Sequence, residues 1–86
     1  MRELEKILRA MASHRRLAIL KYLRDHREAS VGELAEKIDL SFKSTSKHLS
    51  ILLAVDILER EPRSQQMFYS FSFSLKPVAK QIINFL

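Results

Sequence analysis

No cysteine occurs in the 86 residues. Disulfides and thiolate metal sites are thereby excluded, and a reducing cytoplasm is the compartment that fits. A single glycine and two prolines interrupt the chain, so there is no Gly-rich phosphate loop, linker or low-complexity segment. Nowhere do about 18 apolar residues follow one another, which removes a membrane-spanning helix. Met1-Arg2-Glu3-Leu4-Glu5-Lys6 carries acids where a secretion signal needs an apolar run. Signs of catalysis are missing too: no nucleophile elbow and no carboxylate pair in an evident cleft. Ser46 and His48 are close in sequence but point to different sides of a helix, so they form no nucleophile–base pair. An enzyme is not expected.

What the chain does have is basic charge and a clean alternation of apolar periods. Fifteen Lys and Arg against ten Asp and Glu give a formal charge of +5, which favours a polyanionic partner. The 47% of hydrophobic residues suffices for one domain over residues 1–86 and leaves apolar surface for a partner. Leu4, Ile7, Leu8 and Met11 recur at helical spacing, predicting a first helix over 2–11. Ser13 can cap a second, running to about Arg24. Ser30-Val31-Gly32-Glu33 reads as a capping box, with Glu33 reaching back to the Ser30 N–H, and opens a short helix that ends at Asp39-Leu40. Ser41 caps a fourth helix over 41–54, with Thr45, Leu49 and Leu52 on one side and Lys43, Lys47, Ser50 and Ala54 on the other.

Beyond Asp56 the period becomes two. Ile57 to Glu61 predicts a strand, Pro62-Arg63-Ser64-Gln65 a turn, and Met67, Tyr69, Phe71 and Phe73 the core face of a second strand. Ser74 then caps a last helix over 75–86, whose stripe is Leu75, Val78, Ala79, Ile82, Ile83 and Leu86. The predicted class is mainly α with a small β-hairpin, in the order α-α-α-α-β-β-α.

The two helices meeting at Asp39-Leu40-Ser41 form a helix-turn-helix unit, whose second member enters the DNA major groove. That helix has no acid between Ser41 and Val55 and presents Lys43, Ser44, Ser46, Lys47 and Ser50 outward. Short hydroxyls permit close approach to the groove, and lysines reach phosphates or guanine edges. Four serines in one helix also cost propensity that a purely structural helix would avoid.

The segments Ser13 to Leu20, Val31 to Ile38 and Leu40 to Leu52, the last with Ser46-Lys47-His48-Leu49, resemble the ArsR-like family of winged helix-turn-helix regulators, as does the hairpin ending Met67-Phe68-Tyr69. The resemblance implies a homodimeric repressor that binds double-stranded DNA, with a wing over 57–73 flanking the recognition helix. Carried over by position, Lys43, Ser44, Ser46, Lys47 and His48 would face DNA, and Arg63 and Gln65 would sit in the wing. Asp56 stands where the family usually has glycine, and Phe42 where a polar base-reading residue would be expected.

Metal sensing, the family's best-known role, is not expected. His14, His26 and His48 lie on separate elements, and the last helix has no His, Asp or Glu. No cofactor is expected, and no small-molecule effector is identified. Leu4, Ile7, Leu8, Met11, Val78, Ile82, Ile83 and Leu86 are the candidate dimer contacts, since a small domain gains by burying such stripes against a second copy. The competing reading is a winged-helix module that binds protein instead of DNA.

Overall fold

Short hydroxyl side chains start the three central helices, because each accepts a backbone N–H that has no partner inside the helix. Ser13 accepts from Arg16 at 3.3 Å, Ser30 from Glu33 at 3.2 Å and Ser41 from Ser44 at 3.0 Å. The computed structural model describes residues 1–86. It runs α1 (Arg2–Met11), α2 (His14–His26), β1 (Glu28–Ser30), α3 (Val31–Lys37), α4 (Phe42–Ala54), β2 (Leu58–Arg63), β3 (Gln66–Phe71) and α5 (Pro77–Phe85). The apolar stripes converge on one core, in which Ile19, Leu20, Leu23, Leu34, Leu49 and Leu52 are completely buried. No helix is long and apolar enough to cross a membrane.

The arrangement is the winged helix-turn-helix expected, with one element more. Glu28–Ser30 is a strand, so the sheet has three strands in the order β1-β3-β2, all antiparallel. Three residues are too few to display alternation, and Ser30 doubles as the α3 cap. The turn is also shorter than Pro62 to Gln65: Pro62 and Arg63 belong to β2, leaving Ser64 and Gln65 as a two-residue turn. Proline is tolerated there because β2 is an edge strand.

Other local expectations are corrected by competing partners. The second helix continues two residues past Arg24. Glu33 does not reach back to Ser30; its carboxylate accepts from the Tyr22 hydroxyl, so the capping box is half made. Ser74 does not cap α5, which starts after Lys76 with Pro77 in its first turn. Its hydroxyl instead donates to Asp56 at 2.5 Å, and Ser72 donates to the same carboxylate at 3.0 Å. These two bonds hold the Asp56 carboxyl below the usual carboxylate range. Phe73, expected on the core face, is fully exposed because β3 ends at Phe71.

Four reversals that glycine would make most cheaply fall to other residues. Arg27, Asp39, Asp56 and Ser64 have φ of 75°, 55°, 61° and 55°. Asp is among the few non-glycine residues that visit the left-handed region, because its short polar side chain can bond locally; the Asp56 carboxylate bonds instead to Ser72 and Ser74 beyond the wing. Gly32, the one glycine, lies within α3 and takes none of these roles.

Candidate nucleic-acid interface

The helix-turn-helix is tied together from α2. Arg15 donates through Nη1 to the Ile38 carbonyl at 2.6 Å, pinning α2 to the turn between α3 and α4. Arg16 donates through Nε to the Ala10 carbonyl at 2.5 Å and through Nη1 to His48 Nδ1 at 3.0 Å, joining α1, α2 and α4. In the sequence these arginines read only as charge. Their spacing carries no signal for partners as distant as Ile38 and His48, and the structure alone reveals them as scaffolding.

On α4, Thr45, Leu49 and Leu52 are buried as expected, and the buried Thr45 hydroxyl donates to the Ser41 carbonyl at 2.8 Å. Lys43, Lys47 and Ser50 are exposed, while Ser44 and Ser46 are half-buried on the flanks. Neither lysine has a carboxylate within ion-pair distance, so their charge is free for an external anion. Phe42, in the first turn, is 62% exposed. It lines a cleft of about 590 Å³ together with Ser30 to Glu33 at the start of α3 and Gln65, Gln66 and Met67 at the wing tip. The start of α4, the start of α3 and the wing tip therefore share one groove, and the exposed Gln65 lines it opposite Phe42.

Two candidates are engaged elsewhere. His48 is half-buried and accepts from Arg16, which leaves Nε2 as the nitrogen that carries its proton. Burial, then the positive charges of Arg16 and Arg15, hold its imidazolium below the usual histidine range. The unfolded chain therefore takes up this proton first. The stability from neutral His48 is complete above about pH 6.5 and is lost as pH falls from there toward the folded value. Acidification from pH 7.5 to 5.5 should lower the urea midpoint of the wild type, and His48→Gln should remove part of that decline. An identical decline in the variant would show that His48 stays uncoupled from folding.

Arg63 is the other. It is exposed at the end of β2, but its guanidinium pairs with Glu28 of β1. That mutual bond pushes the Arg63 group up and the Glu28 carboxyl down from their ordinary ranges.

The terminal helices divide the expected dimer set. Ile7, Met11 and Ile83 are buried in the protomer's own core and offer no area to a partner. Leu4 and Leu8 on α1 remain exposed, Val78, Ile82 and Leu86 are half-buried, and Phe85 is 94% exposed. Phe85 was not among the candidates because it lies off the main stripe of α5.

The histidines stay apart in role. His14 opens α2, His26 stacks on Tyr22 with ring centres 3.9 Å apart, and His48 is held by Arg16.

Comparison with known proteins places this geometry among relatives. Over 66 residues, 77% of this chain, the sequence is 41% identical to the transcriptional activator HlyU of Vibrio cholerae, covering 60% of that protein. Over 65 residues it is 42% identical to the nodulation protein NolR of Rhizobium meliloti, covering 52% of it. The chain thus spans somewhat more than half the length of these relatives. The structure of reduced HlyU from Vibrio cholerae superimposes with a TM-score of 0.85 at 36% identity, over 98% of this chain and 84% of that one. The transcriptional repressor BigR of Xylella fastidiosa does so at 0.80 and 28%, over 99% and 80%. Residues 13–60, from the α2 cap through the recognition helix into the wing, match the profile described as the bacterial regulatory protein arsR family, and the chain belongs to that family.

Proposed function

We propose that this chain is a transcription regulator that binds double-stranded DNA in a sequence-specific manner and is not an enzyme. It acts in the cytoplasm as a homodimer on an inverted repeat, and represses by occupying its site. The observation that carries this reading is the outer face of α4, where Lys43 and Lys47 stand without counter-ions on an acid-free helix beside the wing tip. Ser44 and Ser46 flank them, short enough to let the helix enter the groove. Gln65 is the base or sugar contact from the wing, and His48 seats α4 through its bond with Arg16. The names of HlyU and BigR, one an activator and one a repressor, support regulation of transcription.

Leu4, Leu8, Val78, Ile82, Leu86 and the exposed Phe85 form the dimer surface in this reading. Two-fold symmetry then places two recognition helices about one helical turn, or roughly 34–36 Å, apart on one side of the duplex. The test is selection of bound fragments from genomic DNA, followed by fluorescence anisotropy on the selected and scrambled duplexes. Two protomers per duplex and a preference of about 10³ or more are expected. Equal, weak and salt-insensitive binding to both duplexes would falsify the reading and favour a protein-binding module.

A further inference from the structure

Arg63 ends β2 and is the cation nearest the wing tip. By the alternation of side chains along a strand it shares one sheet face with Glu61, and with Phe68 and Glu28 on the neighbouring strands. That face is opposite to the one where Ala29, Leu58 and Tyr69 pack into the core. From the edge strand Arg63 reaches across β3 to β1. Its Nη1 and Nη2 donate to the two Glu28 carboxylate oxygens at 2.8 and 2.5 Å. Its guanidinium carbon lies 4.5 Å from the centre of the Phe68 ring, and Nε is 3.7 Å from Glu61 Oε2. Glu28 in turn stands two residues before Ser30, the cap of α3.

We infer that Glu28 is a positioning residue that sets specificity: its carboxylate withholds Arg63 from the phosphate backbone and fastens the wing to the start of the helix-turn-helix. This rests on the DNA-binding reading above and says what the wing does within it. A lone surface ion pair would yield to a phosphate, since such pairs are weak. This pair has a bidentate fork in the guanidinium plane and an aromatic ring behind it, so the side chain is already ordered. A cation delivered to phosphate adds affinity for every sequence alike. Holding it back lowers non-specific binding without touching the bases that α4 reads, and the ratio of specific to non-specific binding rises.

The experiment compares wild type, Glu28→Gln, Arg63→Gln and the double variant by fluorescence anisotropy on preferred and scrambled duplexes across a salt series. Glutamine keeps the shape of Glu28 and removes its charge. Two freed arginines per dimer should steepen the slope of log K against log salt by about 1.8 units. Scrambled duplex should bind tighter and the preference should shrink. Arg63→Gln alone should leave the wild-type slope unchanged, and in the Glu28→Gln background it should restore that slope. A purely structural Glu28 would instead weaken both duplexes with no steepening. The inference is overturned if Arg63→Gln alone flattens the slope by one to two units, because Arg63 would then already sit on DNA. An unchanged slope in a folded Glu28→Gln protein overturns it equally, and if that variant does not fold, Arg63→Gln still decides. A wild type that binds no duplex removes the DNA reading and this inference with it. The Arg63 Nε–H resonance, followed by NMR without DNA, separates the two failures: its loss in Glu28→Gln reports the clamp itself.

Discussion

Raising the salt from 50 to 200 mM should weaken binding of the dimer to its preferred duplex by about three orders of magnitude. The figure follows from how many phosphates the surface can neutralise. Lys43, Lys47 and the backbone donors at the α4 N-terminus, doubled by symmetry, supply on the order of six contacts, and each releases nearly one counterion. Had Arg63 been free, the count and the loss would both be larger, with five orders the limit for ten contacts. Lys43→Ala and Lys47→Ala divide the total. A lysine on phosphate lowers affinity for all duplexes and flattens the slope by about one unit per contact. A lysine on a base costs about 1–3 kcal/mol on the preferred sequence and little on a scrambled one. At least one of the two should behave in the second way, because both project from the same exposed face of α4 at i, i+4 spacing. Anisotropy titrations at four or more salt concentrations measure both quantities. A salt-independent affinity would mean that the free charge on α4 meets no polyanion.

Leu49→Ala should produce the largest loss of stability from a single substitution in the recognition helix. Leu49 is completely buried and packs between the helix-turn-helix and the rest of the core. Truncation removes its transfer free energy and leaves a cavity that the neighbours fill only in part, a cost of about 2–5 kcal/mol. Alanine's better helix propensity returns only a few tenths of that. Against a total stability of about 5–15 kcal/mol, the variant stands close to unfolding. The thermal midpoint of a domain this small should fall by roughly 10–30 °C. Urea unfolding followed by circular dichroism gives the change directly, and a loss below about 1 kcal/mol would show that α4 is not held by this contact. The lysine face is untouched, so the fraction that remains folded should keep its sequence preference.

Both expectations use residues whose roles could be read from periodicity. Helical spacing separates Thr45, Leu49 and Leu52 from Lys43, Lys47 and Ser50 without reference to any other part of the chain, and the structure buries the first group and exposes the second. The three serine caps were legible for the same reason, since donor and acceptor lie three residues apart. Asp56 takes the left-handed φ of the glycine that the resemblance leads one to expect there, because the preference for that region is local. What failed were local capping inferences for side chains that find a stronger partner distant in sequence. Ser74 and Glu33 have ordinary local capping roles available, yet Asp56 and Tyr22 take them once folding brings those groups near.

Tertiary structure alone decided which apolar and charged residues remain available. Ile7, Met11 and Ile83 share stripes with Leu4, Leu8 and Ile82, and nothing in a helical period tells which side of a stripe faces the protomer's own core. The same holds for charge: Lys47 and Arg63 look alike in the sequence, both basic and both in segments resembling DNA-contacting elements. One stands free because α4 carries no acid, and the other is bound because a third strand, three residues long, carries Glu28 to the outer face of the sheet. The sequence by itself determined the main helices, the serine caps of α2, α3 and α4 and the acid-free face, all set by interactions within about one turn. The pairing of β1, the reach of Arg15 and Arg16, and the capture of Arg63 depend on contacts 23 or more residues apart. Such contacts exist only after the chain has closed on its core, so no local pattern records them.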